Sequence, residues 1–395
     1  MLRLVLVSLA LSVSSALPSS TPVVDVGVPS DLPPRPVRDL KIAATPDGGL
    51  VLGVVSDLGP ATQGRGVFTE RTLGAWEWRE GAWRPLGGVL NYDRARPVAN
   101  LDLALDRAGT PVMAWNENSG DNDVVVFRAW RDGAWTDWRS RYIGISSPQS
   151  AKTRALAALG GEPLLVWGEN LRQGVGTVLT LRRWQGNAWA RSPRLNTSPY
   201  ARQPSLALDV RGEATAAWIE GNVNEGQIVV ARVDERGATP VGRPLTHGGP
   251  RYVTSPRLAL DASARPVVAW AEDVDGQDTL FAARWTGQDW QALGGAVSTS
   301  FASAPSLTLD REGRPVLAWV EERAGVGQVH LARWTGQTWR ASGSVNRDAR
   351  RDARTPSVTL DVYGNVVLAW REDVGGIYRV QIERFAPGDF GGQGG

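Results

Sequence analysis

The stretch PSLTLDREGRPVLAWVEE, Pro305 to Glu322, has two apolar runs around a polar turn and ends in Trp-x-Glu. Near copies are PSLALDVRGEATAAWIEG from Pro204 and PSVTLDVYGNVVLAWRED from Pro356. The motif Trp recurs at Trp115, Trp167, Trp218, Trp270, Trp319 and Trp370, with spacings of 52, 51, 52, 49 and 51 residues. A degraded copy comes first: VRDLKIAATPDGGLVLGVVSD puts Val55 in the Trp slot and Asp57 in the Glu slot, and an insertion, DLGPATQGRGVFTERTLG, follows it. Seven units of about 50 residues are the signature of a repeat architecture.

Each unit holds four apolar runs. The last two are joined across a fixed spacer by Trp pairs five residues apart: Trp78/Trp83, Trp130/Trp135, Trp184/Trp189, Trp285/Trp290 and Trp334/Trp339. The residues between them (EG, DG, GN or GQ) tolerate positive φ and close short antiparallel hairpins. The runs are short, rich in Val, Leu, Ala and Trp, and bounded by turn formers, so they are strands. No segment has a helical period. Seven groups of four strands predict an all-β chain folded as a seven-bladed β-propeller. The units span about 36–91, 97–145, 150–196, 203–247, 255–299, 304–347 and 355–390. Continuous apolar runs such as PVVAW fit sheets buried on both faces. The last unit lacks most of its fourth strand, and TPVVDVGVPSDLPPRPV near the N-terminus aligns at an offset of 61 with the fourth strand and following loop of unit one. Residues 21–30 are therefore expected to complete the last blade and close the ring, because an open edge would otherwise remain.

The N-terminus, MLRLVLVSLALSVSSALPSS, has a basic Arg3, an apolar core from Leu4 to Val13, and small residues Ser14 and Ala16 before a cut after Ala16. This is the pattern of a secretory signal peptide, leaving one domain over 17–390 and a short flexible tail, 391–395. The expectation is a secreted or periplasmic protein with no transmembrane segment. With no Cys in 395 residues, disulfides, thiolate metal sites and a lipid-anchored cysteine are excluded. A net charge of +2 and the lack of a basic stripe weigh against nucleic-acid binding.

The unit resembles the blades of secreted bacterial propeller repeat proteins of the kelch-like and sialidase-like kind. Kelch blades carry Gly-Gly where Ala-Trp stands here, and the Trp pairs mimic their second aromatic feature. Sialidase Asp-boxes space Asp and Gly two apart, whereas Asp310 and Gly313 are three apart. The resemblance implies architecture; no catalytic residue carries over from it.

The acidic slot, Asp57, Glu117, Glu169, Glu220, Glu272, Glu321 and Glu372, ends the second run of every unit and should form a ring on one face. A residue present in every blade usually serves the blade, so the ring is taken as structural; function sits in grafts on a scaffold. The turn acids Asp106, Asp209, Asp261, Asp310 and Asp361 fit Asx turns. Residues that break the repeat are more telling. Tyr200, Tyr252 and Phe301 each lie four residues before the position that opens a first strand, with Arg202 and Arg251 nearby. They are the candidate binding residues for a protein partner or a cell-surface glycan. A sialidase-like hydrolase or lyase, with Glu220 and Glu272 as its carboxylates, is the competing reading, and a purely structural envelope protein is a third. Asp273, Asp275 and Asp278 are a weak Ca²⁺ candidate. No cofactor is expected, the molecule is expected to be a monomer, and the residues favour a binding module over an enzyme without deciding between them.

Overall fold

The computed structural model describes residues 25–57, 71–92, 97–118, 123–136, 151–160, 162–170, 176–185, 188–247 and 249–389. The expected signal peptide and the 391–395 tail lie outside them. Among the described residues there are only strands and turns, and no helix long and apolar enough to cross a membrane.

The strands form seven antiparallel sheets, in which neighbours in sequence are neighbours in space. Blades one to six have four strands each, over 37–85, 98–135, 151–191, 201–240, 253–292 and 302–344; blade seven has three, over 353–385. The first strand of every blade packs against the first strands of both neighbours, and that of blade seven packs against that of blade one. The first strands are thus the innermost, and the ring is closed.

Second strands are the core of each blade. Leu50–Asp57 is buried at every position, as is Ala214–Glu220. A strand packed on both faces needs apolar side chains on both, which explains the lack of alternation. The motif tryptophans Trp115, Trp167, Trp218, Trp319 and Trp370 are the largest fully buried side chains. Each turn Asp makes the expected local bonds. Asp310 Oδ1, for example, accepts from Glu312 N at 3.0 Å and Arg314 N at 2.8 Å, and Asp106, Asp209, Asp261 and Asp361 repeat the pattern.

Blade one departs from the expected register by one residue. Val37 pairs with Ser56 just as Ala302 pairs with Glu321. Val54 and Ser56 therefore occupy the Trp and Glu slots, and Asp57 lies one position beyond. There its buried carboxylate accepts from Arg38 Nε at 2.7 Å and lies 3.5 Å from Arg71 Nε.

The first and last described segments of the chain meet at blade seven. The indole N–H of a fourth-strand Trp donates to a carbonyl of the preceding blade: Trp135 to Leu86 and Trp339 to Leu293, each at 2.7 Å. Trp83 of blade one makes the same 2.7 Å bond to Val26 O, so the N-terminal segment stands where the outer edge of blade seven belongs. Val26 is buried in one cluster with Val380 and Ile382. The described part of this segment joins by packing, without ladder pairing. Gly27, at φ 54°, and Pro29, which lacks an N–H, interrupt an extended run there.

Candidate functional site

The acidic slot is a set of struts. Glu272, fully buried, accepts from Trp270 Nε1 at 2.7 Å and from His247 N, 3.0 Å from each oxygen. Glu372 accepts from Trp370 Nε1 at 3.0 Å, Arg347 N at 2.9 Å and Asp348 N at 3.1 Å. Glu117 takes Trp115 Nε1 at 2.8 Å and Tyr92 N at 2.7 Å, and Glu321 takes Trp319 Nε1 at 3.1 Å and Thr299 N at 2.9 Å. Glu220 accepts from Ser198 N at 2.6 Å, Thr197 Oγ1 at 2.9 Å and Thr197 N. Each carboxylate thus ties its blade's Trp, or its own strand end, to the loop arriving from the blade before. The Glu169 side chain lies outside the described residues.

Burial pushes the Glu321 carboxyl up, but the Thr299 N–H, the Trp319 indole and nearby His330 more than offset it, so its pKa is lowered. His330, stacked on Trp319 at 5.5 Å and 3.8 Å from Glu321, is itself pushed down by burial.

Glu220 and Glu272 are therefore committed to backbone and indole donors and are not poised as an acid-base pair. The two arginines are committed as well. Arg202 Nη1 donates to Gly221 O at 2.9 Å, and Arg251 Nη1 donates to Asp273 O at 3.1 Å. Each braces the turn between strands two and three of its own blade. The aromatic residues differ. Their carbonyls accept from the end of strand two in the same blade (Tyr200 from Gly221, Tyr252 from Asp273, Phe301 from Glu322), which fixes the backbone. Their side chains stay 44%, 37% and 52% exposed, on three successive blades.

The acidic loop Glu272–Asp278 is a tight hairpin. Asp275 and Gly276 turn at φ 55° and 82°, Asp273 Oδ1 caps Gly276 N at 2.9 Å, and Asp278 is pushed up by burial and by Asp273. Asp273, Asp275 and Asp278 build a turn. Among the described residues no group of three acids or histidines is arranged to hold a metal ion.

One feature of the inner wall was not anticipated from sequence. An open cavity of about 410 Å³ lies inside the ring, lined by residues of the first strands of blades one to five. Asp39, Lys41, Asp102 and Arg257 line it together with amides and hydroxyls. Near it each first strand has a bulge, with Asn100, Gln203 and Ser255 at φ 50–54°. Ala304 and Thr355 share that conformation, which marks the bulge as part of the blade. The signal that could have found the cavity residues is the break in the Pro-Ser pair that opens several first strands.

No protein-family profile matches the chain, and no curated protein does. Solved structures share its fold. A protein of unknown function from Dyadobacter fermentans is 12% identical, with a TM-score of 0.55 over 92% of this chain and 97% of its own. A polysaccharide lyase, the PL25 ulvan lyase, is 9% identical, with a TM-score of 0.55 over 89% of this chain and 94% of its own. The Trypanosoma rangeli sialidase is 10% identical, with a TM-score of 0.52 over 90% of this chain and 55% of its own.

Proposed function

We propose that the protein is an exported binding propeller that holds a cell-surface glycan on the face carrying the loops that lead into the first strands. The observation that carries this reading is the repetition of an exposed aromatic ring, Tyr200, Tyr252 and Phe301, at equivalent positions of three successive blades. Aromatic faces offer a rigid apolar surface to the C–H faces of sugars, and tyrosine adds a hydroxyl at its edge. The burial of Glu220 and Glu272 under backbone donors favours binding over hydrolysis. A polysaccharide lyase and a sialidase among the fold's neighbours are in keeping with a carbohydrate ligand, at the level of the fold alone.

The test is affinity for polysaccharide extracted from the envelope of the producing cell. Tyr200→Ala combined with Tyr252→Ala is expected to weaken binding at least tenfold while leaving the melting temperature within about 2 °C, because exposed side chains contribute little to stability. Unchanged binding in the double variant removes this face as the site. Capture of a protein in place of glycan would replace the ligand class.

A further inference from the structure

Every first strand carries one residue opposite the position before the Trp slot. It is Lys41, Asp102, Ala155, Ser205, Arg257, Ser306 and Ser357 from blade one to blade seven. Where it is Ser, its hydroxyl is a clasp between blades. Ser205 Oγ accepts from Leu258 N, Ser306 Oγ from Val358 N and Ser357 Oγ from Ile42 N, each at 3.0 Å. Lysine and arginine have no acceptor. Blades one and five have therefore exchanged this Ser for a cation, and blade two carries an acid there; in blade one the clasp is made by Asp39, whose Oδ2 accepts from Leu101 N at 3.0 Å.

These three substitutions converge. Lys41, Asp102 and Arg257 all line the axial cavity of about 410 Å³, alongside Asp39, Asn100 and Gln203. A scaffold residue replaced by charge only where one cavity forms is the mark of a grafted site. The charges are equal in number and uneven in their pairing. Burial pushes the Arg257 guanidinium down while Asp102 and Asp39 hold it up, so its counter-ions are on hand, and its Nη1 donates to Pro256 O at 3.0 Å. Lys41 is one of only two lysines in the chain and has no hydrogen-bond or ion-pair partner among the described residues. Two carboxylates and two cations thus balance in the described lining, and the cation without a partner there is the Lys41 ammonium.

We propose that the axial cavity binds a small polar carboxylate. Its oxygens meet Lys41 Nζ and the remaining N–H groups of Arg257, and its hydroxyl or amino groups meet Asp39, Asp102 and Asn100. The cavity size suits a molecule of one sugar or one amino acid. Sugar acids and amino acids share this chemistry. The site lies on the axis and stands independently of the glycan reading.

Isothermal titration calorimetry of the purified protein with glucuronate, serine and glucose tests it. At least one carboxylate is expected to bind at least tenfold tighter than glucose, and which one binds identifies the source. Lys41→Ser restores the residue of three other blades. It is expected to weaken that carboxylate at least tenfold while the melting temperature holds or rises, and Arg257→Ser is expected to do the same. Should Lys41→Ser fail to fold, Lys41→Gln gives the same reading. Carboxylates binding no tighter than glucose, no binding at all, or full affinity in a folded Lys41 variant would overturn the proposal.

Discussion

At Glu272 a single carboxylate satisfies an indole N–H and a loop N–H in a fully buried setting. Removing it leaves both donors without water or partner, and a buried unsatisfied donor costs about 1–3 kcal/mol. Glu272→Ala is therefore expected to lower stability by at least about 2 kcal/mol in chemical denaturation, and Glu272→Gln by less, since its amide oxygen still accepts. An equal cost for an exposed acid such as Glu213 would contradict the strut role. His330 gives a pH signature. Its folded pKa is lowered, so the unfolded chain binds a proton more readily. Its contribution is full above the unfolded value of about 6.5 and is lost as pH falls toward the folded pKa. Glu321, lowered as well, adds a loss at more acidic pH, as the carboxylate is protonated through its own folded pKa. His330→Gln should flatten the fall in stability that begins below pH 6.5, leaving the acid limb; denaturation series at several pH values read this directly. The strut role was legible in the repetition of Trp-x-Glu. Its partners were not, because a loop N–H carries no residue-type signature.

At the scale of the strand and hairpin, the two Trp positions do different work. Trp319 is core, whereas Trp339 is half-buried at the rim and reaches back to Leu293 O of blade five. Trp319→Ala is expected to cost about 3–5 kcal/mol through transfer and cavity terms. Trp339→Phe keeps a six-membered aromatic ring and loses the indole N–H bond, about 1 kcal/mol. Urea titrations that rank the two in the opposite order would reverse the assignment of core and rim. The cross-strand pairs seen in sequence as a five-residue spacing are real contacts: the rings of Trp285 and Trp290 lie 5.4 Å apart at 63°. Strand identity, turn positions and the Asx turns were readable because they depend on local chemistry. Blade one was displaced by one residue because it lacks the Trp that anchors the alignment, and only its pairing of Val37 with Ser56 fixes the register.

For the whole ring, closure is made at the seam between blades one and seven. Ile42 N donates to Ser357 Oγ at 3.0 Å, Arg371 Nη1 donates to Val37 O at 3.1 Å, and Val26 joins the cluster that spans both blades. A chain begun at residue 33 loses the Val26 side chain and the acceptors of both Trp83 and Trp76, Val26 O and Asp31 Oδ1. It is expected to lose about 3–5 kcal/mol from apolar burial and two bonds. A truncated protein as stable as the longer one would show that the N-terminal segment is dispensable to closure. The count of blades and the four strands of blades one to six were contained in the repeat, whereas blade seven has three strands and the N-terminal segment packs beside it without pairing. An internal period is a statement about the chain itself, and seven two-faced sheets have few ways to bury both faces. What only the tertiary structure decided is which side chains are spent and which remain available. Arg202 and Arg251, which look like binding residues beside exposed aromatics, turn inward to backbone carbonyls of their own blades. Lys41, Asp102 and Arg257, scattered over more than 200 residues of sequence, come to face one cavity. The physical reason is that hydrogen-bond satisfaction and convergence on the axis depend on how blades are placed around the ring, and a local sequence pattern carries no record of that placement.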